Sequence, residues 1–240
     1  MTYDLVAVGD VMLDVHVTAA PVDGTLHDAI RVCAGGSAVN AARTAQRLGA
    51  RAAVVGRVGN DPAGAAIADD LRRNGIDALL EVDAGAATGT VAYIGPGVVA
   101  DRGANGGFTP DELPAARVTL VSGYLDADAV GAALAHAQGV RAVDLQRAGR
   151  RAFDADVVLG PELAVDDFAV HHRVVCATLE ERGALAVRGA ERVRVVPERV
   201  LATSPRGAGD AFAAAFLLAL ADDRPLRACL ERGCAAVLAL

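Results

Sequence analysis

Lysine is absent from the 240-residue sequence, so all 23 basic residues are arginine. That removes both the P-loop lysine that reaches nucleotide phosphates and the Schiff-base lysine of carbonyl chemistry. Any phosphate handled here must be met by backbone N–H groups, by arginine or by a bound cation. Positive charge is short overall: 30 acidic residues leave a formal charge of −7, which argues against nucleic acid or an anionic membrane as the main partner and for a small molecule. Cys33, Cys176, Cys229 and Cys234 lack C-x-x-C spacing. A chain of this length needs no disulfide staples, so they are expected as free thiols in a reducing cytoplasm. The start Met1-Thr2-Tyr3-Asp4 has no basic region, and Asp10 and Asp14 interrupt the apolar run that follows. It reads as a strand and not as a signal peptide. The apolar run Ala211–Ala221 falls short of the ~20 residues that cross a bilayer and is expected as a buried helix.

Several site types are missing too. His171-His172 have no third ligand at metal spacing, and His16, His27 and His136 are scattered, as expected of structural or surface residues. There is no Gly-x-Ser-x-Gly elbow, and Cys176 has no evident His partner in the sequence. The turn Gly9–Asp14 lacks the Gly-x-Gly-x-x-Gly of a dinucleotide-binding oxidoreductase. Neither internal repeats nor a low-complexity linker divides the chain.

What is present is apolar and periodic. With 53% hydrophobic residues, one substantial core can be filled, so a single domain over 1–240 is expected. Leu5-Val6-Ala7-Val8-Gly9 has the form of a strand buried on both faces. Ser37–Leu48 carries Val39, Ala42, Ala45 and Leu48 at helical spacing with Gly49 as a stop. Ala52–Gly56 predicts a strand, and Pro62–Asn74 a helix capped by Gly75. Strands at Val118–Val121, Val140–Asp144, Val157–Leu159 and Val174–Thr178, with a helix around Ala127–Gln138, continue the alternation. This rhythm predicts an α/β fold, an open and mostly parallel sheet with helices on both faces, whose ligands bind beyond the carboxyl ends of the strands. Two segments break it: Val11–Val32 is mixed and turn-rich, and Thr88–Val99 surrounds Gly95-Pro96-Gly97. They suggest a small β lid near 11–34 and 87–101; surface hairpins with no gating role fit the pattern equally.

Two glycine turns open helices. Gly35-Gly36-Ser37-Ala38-Val39-Asn40 sets an amide one turn into a helix, where it can bond a polyol. Gly207-Ala208-Gly209-Asp210 precedes the late apolar run. There, converging backbone N–H groups and the helix dipole make an anion site. A carboxylate just beyond is unfit to bind a phosphate but well placed to take a proton from a hydroxyl attacking it. Alone, either turn is weak, and Asp210 alone reads more readily as a dipole-stabilising carboxylate.

The combination is specific. Asp14 in an early strand, Gly-Gly-x-x-x-Asn-x-Ala ending in Leu48-Gly49, and the late Gly-Ala-Gly-Asp-Ala-Phe together resemble the ribokinase or PfkB family of carbohydrate kinases. Val55-Gly56 with Gly59-x-Asp61-x-x-Gly64, Arg102-Gly103-Ala104-Asn105, and Thr178-Leu179 followed by Gly183 match as well. The resemblance implies an α/β core with a β lid, ATP as donor, Mg²⁺, and a sugar or sugar-like alcohol as acceptor. It implies Asp210 as catalytic base and the backbone of Gly207, Ala208 and Gly209 as the anion hole. Asp14, Gly35, Gly36 and Asn40 would bind the acceptor, and Thr178, Gly183 and Arg206 would lie along the nucleotide. Arg102 would reach an acidic or phosphorylated group on the acceptor, or stand as a solvated loop arginine. A homodimer through the exposed edge of the lid is a further expectation.

Departures fall on the nucleotide side. Ser204-Pro205-Arg206 replaces the family's Asp-Thr-x, often linked to a monovalent cation, and Pro161-Glu162-Leu163-Ala164 replaces its Asn-x-x-Glu, with Glu162 as a shifted substitute. Glu180 takes the place of a glycine after Thr-Leu, where it would crowd a phosphate, and the chain ends at Leu240, just after the segment following the catalytic helix. These features keep open a sugar-binding or regulatory protein that retains the site but has lost efficient catalysis.

Overall fold

The computed structural model describes residues 2–22, 25–95, 97–146, 152–197, 199 and 205–240. Through the first half of the chain run β1 (Tyr3–Val8), β2 (Met12–Val22), β3 (Thr25–Gly35), α1 (Ser37–Arg47), β4 (Ala52–Gly59), α2 (Pro62–Arg73), β5 (Asp77–Asp83), β6 (Thr90–Ile94) and β7 (Gly97–Asp101). The second half contains β8 (Ala116–Ser122), α3 (Ala127–His136), β9 (Val140–Asp144), β10 (Val157–Pro161), α4 (Val165–Ala169), β11 (Val174–Thr178), β12 (Ala184–Arg188), β13 (Glu191–Val195), α5 (Ala208–Ala221) and α6 (Leu226–Leu238). No described helix is long and apolar enough to cross a membrane.

The alternation of apolar strands and helices yields the α/β class it predicts. Nine strands lie in the order β13-β12-β11-β10-β9-β8-β1-β4-β5. Pairing is parallel from β11 through β5 and antiparallel only where β12 and β13 are added. Because successive side chains of a strand point to opposite faces, β1 serves two cores. Leu5 and Ala7 pack with Val39 of α1, Phe212 and Phe216 of α5 and Leu230 of α6. Val6 and Val8 pack on the other side with Val130 and Leu134 of α3 and Phe168 of α4. Each fully buried aliphatic side chain contributes roughly 1.5–3 kcal/mol, so the centre of this sheet is the stable part of the molecule.

The two segments that break the rhythm form a second sheet, in the order β3-β2-β6-β7, with β2 parallel to β6. Val11–Val32, read as turn-rich, is mostly two long antiparallel strands. Polar residues alternating with apolar ones obscure it in sequence, yet alternation suits a sheet whose faces meet different surroundings. Asp61 anchors its base. The carboxylate caps α2 by accepting from the Gly64 amide at 2.8 Å, and also accepts from the Thr88 amide at 2.8 Å, just ahead of β6. These bonds hold the Asp61 carboxyl below its usual range, the Thr88 hydroxyl most of all.

Candidate active site

The carboxyl ends of the parallel strands and the starts of α1 and α5 meet in one place. At α1, Gly36 has φ 90°, and a Cβ there would lie 2.2 Å from the Asp10 carbonyl oxygen, so only glycine lets the chain turn tightly into the helix. At α5, Gly207 has φ 75° and lies against the Asn40 side chain. The two turns are thereby pressed together, and Asn40 Nδ2 donates to Asp210 Oδ2 at 2.9 Å. Burial pushes the Asp210 carboxyl up to about 8; the Asn40 bond opposes the rise, and the charges of Asp144 and Asp14 add to it. A carboxyl so placed is a stronger base than an exposed aspartate once it is ionised.

Asp210 lines a cavity of about 590 Å³ together with Gly207, Ala208, Gly209, Thr178 and Gly183, a volume in the ordinary range for small-molecule sites. Ala208, expected to offer its amide, donates it to the Pro205 carbonyl at 3.1 Å. The amides of Gly207, Gly209 and Asp210 have no acceptor among the described residues. Those three form the electropositive end of α5. Gly183, at φ 85°, also has a structural role, since a Cβ there would lie 2.0 Å from the Val195 carbonyl oxygen.

On the other side of Asp210 stands the small sheet. Asp14 on β2 is buried, and a Cβ on Gly35 would collide with its carboxyl group at 2.3 Å. Gly35 therefore makes room for that side chain. Burial raises the Asp14 carboxyl to about 6 against the opposing charges of Arg43, Arg206 and Arg31. Arg206, expected along the nucleotide, instead sits with its guanidinium carbon 3.4 Å from the centroid of the Tyr93 ring on β6. His16, expected as a structural or surface residue, stacks on the same ring at 4.8 Å. Arg102, expected on the acceptor, donates to the Tyr124 carbonyl at 3.0 Å, to Asp126 at 3.3 Å, and lies 3.6 Å from an Asp10 oxygen.

Sequence reasoning missed Asp144. It ends β9, its Oδ2 accepts from Gln146 at 2.8 Å, and its buried Oδ1 has no hydrogen-bond partner although the residue lines the same cavity. The available signal was its place at the carboxyl end of a parallel strand. Glu162, the shifted substitute, is exposed and ion-paired with Arg182, and is not among the cavity's lining residues. Ser204 lies outside the described residues.

The sequence matches the pfkB family carbohydrate kinase profile over residues 2–148 and 163–239. It is 26% identical to the ribokinase of Bacillus subtilis (strain 168), the match covering 95% of this chain and 89% of that one. Among solved structures it is similar to the adenosine kinase from Sinorhizobium meliloti, with a TM-score of 0.78, 24% identity, and 99% of this chain and 93% of that one covered. It is similar also to Arabidopsis thaliana ribokinase complexed with ribose and ATP, with a TM-score of 0.73, 21% identity, and 99% and 92% covered.

Proposed function

Because the chain belongs to the pfkB family of carbohydrate kinases, phosphotransferases by class, we propose that it transfers the γ-phosphoryl group of ATP to a hydroxyl of a small sugar or sugar-like alcohol. The observation that carries this reading is the Asn40–Asp210 bond of 2.9 Å beside the cavity that Gly207–Asp210 line. Phosphoryl transfer asks the protein mainly for positioning and charge stabilisation. Asp210 takes the hydroxyl proton as the acceptor oxygen bonds to phosphorus and the bond to the β-phosphate oxygen breaks, releasing ADP. The Gly207, Gly209 and Asp210 amides meet the charge on the transferring group without reorganising. Asn40 aims the base through its amide nitrogen and keeps its carbonyl oxygen for the acceptor. Gly36 and Asp14 frame the acceptor side, and Thr178 and Gly183 line the nucleotide side.

The donors fit a hard cation. The partnerless Asp144 Oδ1 is an oxygen ligand of the kind Mg²⁺ takes. No group of three His, Cys, Asp or Glu residues is gathered among the described residues, so the ion would come with the nucleotide phosphates, as Mg²⁺ commonly does. When bound, it neutralises charge on the β- and γ-phosphate oxygens.

The small sheet supports a homodimer. Ile30, Val32, Ile94 and Val99 are each more than half exposed, and the register sets them in two cross-strand rows on the face opposite Asp14. A second copy offers a matching face. Light scattering reads this directly: a monomer at micromolar concentration sinks it.

Acceptor-dependent ADP release from Mg-ATP, measured across sugars, nucleosides and sugar acids, tests the activity. The ion-paired Glu162 favours the second reading, a sugar-binding protein with weakened catalysis. Calorimetry that finds sugar binding but no nucleotide binding would decide for it.

A further inference from the structure

One face of the small sheet carries a row of polar and aromatic residues in register. Arg31 on β3 pairs with His16 on β2, and His16 with Tyr93 on β6, while Asp14 lies two residues before His16 on the same face. Arg206 enters the row from outside the sheet, from the residue just before the Gly207 turn, and rests on the Tyr93 ring at 3.4 Å. Asp14 senses both Arg206 and Arg31, and so does His16, whose pKa is lowered chiefly by burial and then by these two arginines.

The two arginines differ from most others near this site. Arg43 is ion-paired with Asp70, and Arg102 with Asp10 and Asp126. Neither Arg31 nor Arg206 has an ion pair with a carboxylate among the described residues. Contact with a ring holds a guanidinium by its face, and although the Tyr93 hydroxyl also engages Arg206, a guanidinium has five N–H donors and keeps others along its edge. That edge matches a planar or tetrahedral oxyanion in two-point geometry. A neutral sugar gives these cations nothing they could not find in water. Asp14 lies close enough to both arginines to feel their charge, and as a single carboxylate it can offset one of the two.

We propose that the acceptor is anionic, a sugar-like alcohol bearing a carboxylate or phosphate that Arg206 and Arg31 hold from the small-sheet face while its hydroxyl reaches Asp210. This rests on the kinase reading above and deepens it by naming the substrate class. Arg206 acts as a specificity-determining residue, held against the Tyr93 ring.

Matched ligands test it: ribose against ribonate, with a ribose phosphate as a third arm, each measured by calorimetry without nucleotide and by ADP release with Mg-ATP. Ribonate or the phosphate should bind about tenfold to a hundredfold more tightly than ribose, as charge-assisted bonds would give. The arm that binds better tells carboxylate from phosphate. Arg206→Gln and Arg31→Gln should each cut the anion-to-neutral affinity ratio by about tenfold. Arg206→Lys should recover only part of it, since the charge returns but the planar fork does not. A merely structural arginine would weaken all three ligands together and leave the ratio unchanged. Ribose binding as well as or better than both anions, or unmoved ratios in the variants, overturns the proposal. Anion-selective binding with no ADP release for any acceptor would sink the kinase reading and leave this one standing.

Discussion

The two sheets of this protein are built on different terms. In the large sheet, β1 and β8 lie between helices, and Leu5, Val6, Ala7, Val8 and Val118 have no exposed surface. In the small sheet, among the described residues, only the base is buried, around Met12, Asp14 and Ala34. One face carries Asp14, His16, Arg31 and Tyr93, and the other exposes Ile30, Val32, Ile94 and Val99. On the proposed reading, the large sheet fixes the base and the amide cradle, and the small one supplies what reads the acceptor. Stability and recognition are therefore divided between regions, and substitutions should divide in the same way.

The sharpest test lies where the regions meet. Asp210→Asn should lower acceptor-dependent ADP release by roughly 10²–10⁴-fold, the worth of a general base, with the fold retained and, near neutral pH, no less stable than the wild type's. Release at the wild-type rate would move the chemistry elsewhere. Next come the sheets themselves. Leu5→Ala in the large sheet is expected to cost about 2–5 kcal/mol in denaturant unfolding, whereas Ile94→Thr on the small one should cost the isolated monomer under about 0.5 kcal/mol. Equal losses would erase the distinction. At the joint between them, Asp61→Ala removes the α2 cap together with the Thr88 bonds and should cost about 0.5–2 kcal/mol. The pKa of Asp61 is depressed in the fold, so its contribution is present above the unfolded carboxyl pKa, and the deficit of the variant should shrink as pH falls through the folded value.

A further difference is a pH dependence. The Asp210 carboxyl is raised to about 8, mainly by burial, so kcat/KM for the acceptor should climb with pH up to that value. The sign for stability is opposite. The folded state keeps this proton up to about pH 8 while the unfolded chain loses it near 3.8. The benefit is complete below the lower value and gone once pH rises through the upper one. Chemical denaturation of wild type and Asp210→Asn at several pH values should show the gap moving in favour of the variant with rising pH. A gap independent of pH would mean an ordinary carboxyl.

Much of the large sheet is legible because its strands are short apolar runs and its helices have stop signals, as with Leu5–Gly9 and Gly49. Edge strands are less so. Glu191-Arg192-Val193-Arg194-Val195 in β13 and Asp77–Asp83 in β5 are largely exposed, and charged residues there dilute the apolar signal that locates a strand. In the site, the two glycine turns and Asp210 are readable because local backbone needs leave a local mark. The Asn40–Asp210 bond spans 170 positions and exists only once α1 and α5 pack. Arg206 illustrates the same limit: its neighbours in sequence suggest the nucleotide, while its neighbours in space are Tyr93 and the charge of Asp14.

One contact ties motion to chemistry. Tyr93 belongs to the small sheet, and the guanidinium it carries belongs to the residue preceding Gly207. Any outward swing of that sheet must either strip Arg206 from the ring or drag the start of α5 along with it. A swing that keeps the contact would carry the Gly207 turn with it, so the cradle and the acceptor-facing side of the small sheet would travel as one body.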